Sequence, residues 1–198
     1  MLFSEVIRVE NGHMCDFDAH ERRMQRTCRH FFGCGIAVDR PCLTVPQEMR
    51  SGLVKCRILY GREITEVTFA PYVFRSIRSL AVVEDDAIEY DYKYADRSAL
   101  EALRQAGGCD DVLIVKDGVL TDTSFSNVVL EDGAGNFVTP VDALLKGTRR
   151  EGLLRSGRIA EKRIAVEDIS GYRYVYLINA MIGLEDCVRV ATEDIVGL

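Results

Sequence analysis

Residues 92–100 read Tyr-Lys-Tyr-Ala-Asp-Arg-Ser-Ala-Leu, which places Lys93 between two tyrosines just before a predicted helix. That helix is expected over 96–105, because Gly107-Gly108 follows it and is typical of a helix C-terminus. Aromatic neighbours can partly desolvate an amine, which lowers its pKa and leaves it neutral and nucleophilic. We therefore predict that Lys93 is a candidate nucleophile at the junction between two lobes.

Lysine is scarce in this chain, so few amines compete for that role. There are five lysines against twenty arginines: Lys55, Lys93, Lys116, Lys146 and Lys162. Lys55 alternates within a predicted strand, Lys116 precedes a hairpin turn and Lys162 lies in a charged patch. Each of these three is most simply a solvated surface charge, and context alone leaves the same alternative open for Lys93.

The first half of the chain reads as a smaller α/β lobe, which we predict to span 1–85. A strand at 4–9 is followed by Asn11-Gly12, a strong hairpin signal, and then by a helix from Asp18 to His30. Further strands are predicted at 54–61, 62–69 and 78–85.

The second half reads as a larger, antiparallel-rich α+β lobe spanning 93–198, joined to the first by a linker at 86–92. Its expected elements are strands at 111–116, 128–132, 136–140, 162–166 and 172–178, a polar segment at 120–127 and a helix at 148–156. The predicted fold class is thus a two-lobed combination of α/β and α+β.

Composition excludes several classes of function. The 198 residues carry a net charge of −6 with scattered basic residues, so nucleic acid is not an expected partner. No apolar run approaches the roughly 18 residues of a membrane helix, and the start lacks a signal peptide, so we expect a cytoplasmic protein that binds no membrane. Seven cysteines without a C-x-x-C pair and three histidines without H-E-x-x-H predict no metal site.

Six short motifs occur along the chain in a fixed order. They are FSEVIRVENG (3–12), HERRM (20–24), YKYADRSAL (92–100), LTDTSFSN (120–127), TPVDALLKGTRREGLL (139–154) and LINAMIG (177–183). Together they resemble the class IV aminotransferase family, the fold-type IV pyridoxal phosphate enzymes, whose motifs include F-E-T-I-R, H-x-x-R-L, K-x-x-x-R/Y, T-E-x-x-x-x-N and G-I-T-R. None of the six is specific alone, but their order is.

The resemblance implies a pyridoxal 5'-phosphate cofactor that is bound covalently to Lys93, which also transfers protons. It implies further cofactor contacts from Arg23, Asp122, Asn127, Gly147, Thr148 and Arg149. In these roles Asp122 keeps the pyridine nitrogen protonated, Asn127 orients Asp122 or the lysine, and backbone N–H groups after Gly147 hold the phosphate. The implied substrate contacts are Arg97, Asn179 and Ala180.

The same residues also have ordinary structural interpretations. Asp122 suits a turn, Thr148 suits a helix N-cap, and Asn179 suits a loop-closing hydrogen bond. Arg23 lies three residues after His20 on one helix face, where a surface ion pair is the commoner outcome.

This chain departs from the family pattern at three places. Asp122 stands where the family usually has Glu, and Arg149 stands where G-I-T-R has its threonine. The chain also starts at the F-E-T-I-R equivalent, so we expect a fold shortened at its N-terminus, without the preceding strand and D-R-G segment.

The details of two motifs favour one reaction within the family. Lys93-x-x-x-Arg97 and Asn179-Ala180-Met181 are more similar to aminodeoxychorismate lyase than to transaminases, whose last loop usually reads S-G-T. The resemblance thus implies a lyase of folate biosynthesis that releases pyruvate and 4-aminobenzoate from a small amine substrate, and it implies a homodimer. The alternatives are an amino-acid transaminase of the branched-chain or D-amino-acid type and a non-catalytic scaffold that kept the fold.

Overall fold

The computed structural model describes residues 1–39 and 43–198, and the chain divides into two units. The first unit comprises Met1–Phe74 and Tyr92–Asp96, and the second comprises Arg75–Asp91 and Arg97–Leu198. The division differs from the predicted lobes of 1–85 and 93–198. Residues 75–85 belong to the second unit because a strand there pairs within that unit's sheet, whereas Lys93 belongs to the first, where its carbonyl accepts a hydrogen bond from the Ser4 N–H at 2.9 Å.

The first unit is built on an antiparallel sheet. Its elements are β1 (Phe3–Glu10), β2 (His13–Met14), α1 (Phe17–Phe32), β3 (Leu53–Tyr60) and β4 (Ile64–Pro71). The sheet order over the described residues is β2-β1-β3-β4. The predicted opening of strand, turn and helix is confirmed, and Asn11 and Gly12 both adopt positive φ, as the hairpin requires.

Strict alternation explains which side of this sheet is buried. Along β3 every second residue is buried, and these side chains pack with those of β1 and with Met24 and Cys28 of α1. On β1 the buried row contains Phe3, Ile7 and Val9, but also the charged Glu5. A carboxylate in an otherwise apolar row requires a partner, and it finds one in the site described below.

The second unit contains the remaining regular elements. They are β5 (Leu80–Glu84), α2 (Ser98–Gly107), β6 (Asp111–Lys116), β7 (Val119–Thr123), β8 (Asn127–Glu131), β9 (Phe137–Pro140), α3 (Thr148–Arg155), β10 (Ala160–Lys162), β11 (Tyr174–Ile178), β12 (Arg189–Ala191) and β13 (Ile195–Val196). Among the described residues the sheet order is β10-β9-β8-β7-β6-β5-β13, and β11 pairs with β8 and β12. Most pairs are antiparallel, while β5 pairs in parallel with β6 and β13, and β10 pairs in parallel with β9.

Several predicted elements of this unit need adjustment. The polar segment at 120–127 is not an open loop, since β7 extends through Thr123 and puts Asp122 in a strand. The strand expected at 162–166 is wrong in position: β10 ends at Lys162, and a 3-10 turn covers Val166–Gly171. The short strands β12 and β13 were not predicted, because two or three residues carry too little periodicity to reveal a strand.

In the described part of the chain, two buried clusters stabilise the second unit. The larger packs residues of β5, β6, β7 and β8 against β11, with Leu80, Leu113, Leu120, Leu130 and Leu177 fully buried. The smaller packs Leu153 of α3 against Val129, Tyr176 and Ile178. This second cluster fixes the start of α3 close to the end of the polar segment, which is where the candidate site lies.

Candidate active site

Asp122 is a buried carboxylate whose two oxygens are both held by neutral donors. Its Oδ1 accepts a hydrogen bond from Nδ2 of Asn127 at 2.7 Å, and its Oδ2 accepts one from the backbone N–H of Leu145 at 2.9 Å. Nδ2 of Asn127 also donates to the carbonyl of Leu145 at 2.7 Å. The sequence left open whether Asn127 orients Asp122 or the lysine. In the structure its side chain holds Asp122.

The surroundings of Asp122 change its acidity. Burial raises its pKa from 3.8 to about 6, although the hydrogen bonds from Leu145 and Asn127 and the charges of Arg150 and Lys146 act in the opposite direction. Burial is the largest of these effects, and the hydrogen bonds that oppose it come from neutral donors. A buried carboxyl group with a pKa near neutrality can hold or share a proton at the pH of a cell, and such groups are concentrated at functional sites.

Gly147 occupies the N-cap of α3 and lies against Asn127. Its backbone is extended, with φ −71° and ψ 146°, and no side chain caps the helix. A methyl group at this position would overlap Oδ1 of Asn127, so space rather than backbone freedom requires glycine here. Thr148 is the first helical residue and not the cap, which removes the simple N-cap interpretation of the threonine. The N-terminus of α3 thus presents backbone N–H groups and a positive dipole end, the arrangement that binds phosphate in many proteins.

Arg150 fixes this helix start to the sheet. Its buried guanidinium donates to the carbonyl of Pro140 at 2.7 Å and to Oε1 of Glu161 at 2.6 Å. The pair lowers the pKa of Glu161 through the Arg150 hydrogen bond. Of the two neighbouring arginines, Arg150 is the one with this structural role, and Arg149 follows Thr148 in the first turn and is partly exposed.

Arg97 and Asn179 both contact the connection between Asp122 and Asn127. Nη2 of Arg97 donates to the carbonyl of Ser124 at 2.7 Å, and Nδ2 of Asn179 donates to the carbonyl of Phe125 at 3.4 Å. The Asn179 Oδ1 also accepts the N–H groups of Met181 and Ile182, so it closes the tight turn that contains Ala180. Asn179 therefore forms the loop-closing hydrogen bonds of its structural interpretation, and its predicted substrate contact stays a prediction.

Lys93 lies in the first unit, in a short segment with a well-fixed backbone. The N–H of Tyr94 donates to the carbonyl of Tyr92 at 2.8 Å, which closes a narrow turn around the lysine. The rings of Tyr92 and Tyr94 pack on Phe31 and Phe3, with centroids 4.8 and 5.3 Å apart respectively. The two tyrosines thus anchor the segment in the aromatic core of the first unit, and Lys93 itself is half-buried.

Arg23 and His20 point into the first unit rather than to its surface. Nε and Nη2 of Arg23 bind the two oxygens of Glu5 at 2.8 and 2.6 Å, and Nδ1 of His20 lies 2.7 Å from Oε2 of Glu5. Burial alone would raise the pKa of Glu5, but the charge and hydrogen bonds of Arg23, together with His20, lower it to about 2. Glu5 is therefore a permanent anion that orients Arg23, and the predicted phosphate contact of Arg23 stays a prediction.

Sequence reasoning missed two contributors to these groups. Glu5 had a usable signal, because it is a charged residue in the buried row of Phe3, Ile7 and Val9. Leu145 had none, since it acts only through its backbone N–H and carbonyl.

Within residues 1–39 and 43–198 the structure contains no group of three or more metal-ligating side chains, and no helix there is long and apolar enough to cross a membrane.

Comparison with known proteins identifies the family. Residues 91–190 match the model of the amino-transferase class IV family. An uncharacterised protein of Haemophilus influenzae is 35% identical over 184 residues, which cover 91% of this chain and 97% of that protein. The chain belongs to the amino-transferase class IV family, as the order of its motifs predicted.

Solved structures agree on the fold. A provisionally assigned 4-amino-4-deoxychorismate lyase from Haemophilus somnus is 28% identical, with a TM-score of 0.82 over 92% of this chain and 97% of that one. A hypothetical aminotransferase from Mycobacterium tuberculosis in its PLP-bound form is 18% identical, with a TM-score of 0.73 over 91% of this chain and 78% of that one. The mixed α/β fold is that of the fold-type IV pyridoxal phosphate enzymes, which confirms the predicted fold class.

Proposed function

We propose that this protein is a pyridoxal phosphate enzyme that acts as a lyase on aminodeoxychorismate and releases pyruvate and 4-aminobenzoate. The observation that carries the cofactor assignment is the buried Asp122, whose pKa is raised to about 6 and whose two oxygens accept hydrogen bonds from neutral donors. The assignment to a lyase is supported by the Haemophilus somnus relative, which is 28% identical along 97% of its length.

The residues of the second unit fit a cofactor that has a basic ring nitrogen at one end and a phosphate at the other. As a carboxylate, Asp122 would stabilise a protonated ring nitrogen, because a cation beside it would compensate the burial that otherwise disfavours its negative charge. The uncapped N-terminus of α3 after Gly147 suits a phosphate. When bound, pyridoxal phosphate supplies an aldehyde that bonds covalently to amines and an aromatic ring that withdraws electrons from the substrate.

The roles of the remaining residues follow from their chemistry. The amine of Lys93 would hold the cofactor and, when free, would remove and return protons at the substrate's carbon atoms. In the lyase reaction the bond between the substrate's own ring and its enolpyruvyl oxygen breaks. The substrate ring loses a proton and becomes aromatic, and the released enolpyruvate takes up a proton to become pyruvate. Asp122 would keep the nitrogen of the cofactor ring protonated, and Asn127 would orient Asp122 through their hydrogen bond.

The second candidate is an amino-acid transaminase, which the name of the matched family favours. In that reaction the same lysine would carry a proton between the substrate's α-carbon and the cofactor carbon to which the substrate is bound.

We also propose that the protein is a homodimer. Sedimentation of the purified protein should then give the mass of two chains of 22.2 kDa.

A spectroscopic experiment tests the cofactor assignment. Purified protein mixed with pyridoxal phosphate should gain the visible absorption of a lysine-bound cofactor, and borohydride reduction followed by peptide mapping should place the label on Lys93. Lys93→Ala should lose both signals, whereas Lys55→Ala, a half-buried lysine of the same unit, should retain them. A label on another lysine would refute the role of Lys93, and no label at all would refute the cofactor assignment and favour a non-catalytic scaffold.

Substrate assays then separate the two reactions. The cofactor-loaded protein is given aminodeoxychorismate in one assay, with 4-aminobenzoate as the measured product, and an amino acid with a keto acid in another. We expect turnover in the first assay. Turnover in the second assay alone removes the lyase proposal and leaves the transaminase.

A further inference from the structure

The connection from β7 to β8, residues 123–126, is closed by a side chain to which the proposed function assigns no role. Thr123 is the last residue of β7 and is 2% exposed. Its hydroxyl oxygen Oγ1 accepts the backbone N–H of Phe125 at 3.3 Å and that of Ser126 at 3.0 Å. One side-chain oxygen therefore binds two successive peptide N–H groups, as threonine and serine do in many turns.

The backbone bonds of the connection depend on the same hydroxyl group. The N–H of Thr123 donates to the carbonyl of Ser126 at 2.9 Å. In a regular antiparallel pair the second residue returns a backbone bond to the first, but here the N–H of Ser126 donates to the Thr123 side chain. The two hydroxyl oxygens of Thr123 and Ser126 also lie 2.8 Å apart. The shape of the connection therefore requires a hydroxyl group at position 123.

Peptide geometry transmits these bonds to the opposite side of the connection. The N–H of Phe125 belongs to the same planar unit as the carbonyl of Ser124, and in a trans peptide the two groups point in opposite directions. Because the N–H is fixed on Thr123, the direction of the Ser124 carbonyl is fixed as well. The same relation holds between the N–H of Ser126 and the carbonyl of Phe125.

These two carbonyls are the groups that Arg97 and Asn179 bind. Nη2 of Arg97 donates to the carbonyl of Ser124 at 2.7 Å, and Nδ2 of Asn179 donates to the carbonyl of Phe125 at 3.4 Å. Both side chains are predicted substrate contacts. The hydroxyl of Thr123 is thus linked to each of them through one peptide unit.

We propose that Thr123 is a positioning residue that orients Arg97 and Asn179 for the substrate through the two peptide units that its hydroxyl binds. This role rests on the proposed function, because it requires a substrate that the two side chains contact. Asp122 is held by other groups, so the cofactor site does not depend on the hydroxyl in the same way. Loss of the hydroxyl should therefore weaken substrate binding while the cofactor site stays intact.

The first test uses protein without cofactor, so it does not depend on the proposed function. Thr123→Val keeps the shape of the side chain and removes the hydroxyl. Hydrogen exchange of the Phe125 and Ser126 amides, measured by NMR, should become roughly tenfold faster in this variant. Thr123→Ser keeps the hydroxyl and should return both rates to within about twofold of the wild type. Wild-type rates in Thr123→Val would overturn the proposal.

Thr121 provides a matched control in the same strand. It is similarly buried, but its hydroxyl donates to the carbonyl of Ile114 on β6 at 2.7 Å. Thr121→Val removes the same atom from β7 and should leave exchange of the Phe125 and Ser126 amides unchanged. Equal acceleration in both valine variants would indicate general loosening of β7 and would overturn the proposal. If Thr123→Val does not fold, Thr123→Ala is used with the same readouts.

The link from Thr123 to a predicted substrate contact has its own readout in the same samples. Because the side-chain amide of Asn179 donates to the carbonyl of Phe125, its NMR resonances should move in Thr123→Val. They should keep their wild-type positions in Thr121→Val. Unmoved resonances in Thr123→Val would show that the hydroxyl does not orient Asn179, which would overturn the proposal.

The cofactor-loaded protein supplies the functional readout. With aminodeoxychorismate, or with an amino acid and a keto acid if only that assay gives turnover, Thr123→Val should raise KM about tenfold. Its kcat and the visible absorption of the bound cofactor should stay within about twofold, and Thr123→Ser should restore KM. An unchanged KM in Thr123→Val would overturn the proposal while the proposed function stands. If the wild type turns over neither substrate, the proposed function is overturned, and the substrate role of Thr123 with it.

Discussion

Glu5 and Asp122 are both deeply buried carboxylates, yet their acidities have shifted in opposite directions. Glu5 of the first unit has a pKa lowered to about 2, and Asp122 of the second has a pKa raised to about 6. Burial acts on both in the same sense, because it disfavours charge. The difference lies in their partners: Glu5 forms an ion pair with Arg23, whereas Asp122 receives its hydrogen bonds from neutral groups within the described part of the chain.

This comparison separates two uses of a buried acid. Glu5 stays negatively charged and orients the guanidinium of Arg23, so its role is structural. The carboxyl group of Asp122 is poised to change protonation near neutral pH, which suits a group that shares a proton with a bound molecule. Both carboxylates accept several hydrogen bonds, so the number of hydrogen bonds does not explain the difference in pKa. The presence of a charged donor explains it.

The largest expected effect comes from breaking the ion pair. Glu5→Gln leaves the guanidinium of Arg23 buried without its countercharge, and we expect the free energy of unfolding to fall by about 3–5 kcal/mol, measured by urea denaturation. Glu66→Gln, which removes a surface partner of Arg57, should cost less than about 1 kcal/mol. Equal losses in the two variants would show that the buried pair is no more important than the exposed one.

The next effect concerns pH. The folded pKa of Asp122 lies above its ordinary value, so the stability it contributes is present below about pH 4 and is lost as pH rises through about 6. Two pKa units correspond to about 3 kcal/mol. In cofactor-free protein, the difference in unfolding free energy between Asp122→Asn and wild type should therefore shift in favour of the variant by about 3 kcal/mol from pH 4 to pH 7.

A second aspartate provides the control for this pH effect. Hydrogen bonds from Asn136 lower the pKa of Asp132, so Asp132→Asn should change in the opposite direction and by less. If the stabilities of wild type and Asp122→Asn ran parallel from pH 4 to pH 7, the buried group would not titrate as the structure indicates.

The smallest expected effect compares two glycines of the same helix region. Gly147→Ala pushes a methyl group against Asn127, and we expect a loss of about 1–3 kcal/mol together with weaker binding of pyridoxal phosphate. Gly152, within α3, has open space around it, so Gly152→Ala should instead stabilise the protein by about 0.5–1 kcal/mol. Thermal unfolding of both variants measures the difference, and a gain in both would exclude the contact with Asn127 as a constraint.

Much of the fold could be predicted because local patterns are strong in this chain. Alternation along β3, the Asn11-Gly12 turn and the Gly108 helix end each encode one element within a few residues. The site was harder, because only the order of short motifs indicated it. Asp122 and Asn127 were found in this way, whereas the backbone of Leu145, 23 residues from Asp122, has no identity that a motif could reveal.

The sequence by itself determined the family, the order of most strands and helices, and the residue types available for chemistry. Only the tertiary structure decided that Glu5 meets Arg23, 18 residues away, and that Asp122 faces neutral donors. The physical reason is that periodicity states which side of an element is buried but not what it is buried against. Acidity depends on the latter, because desolvation and nearby charge act over a few ångströms between residues that are distant in the chain.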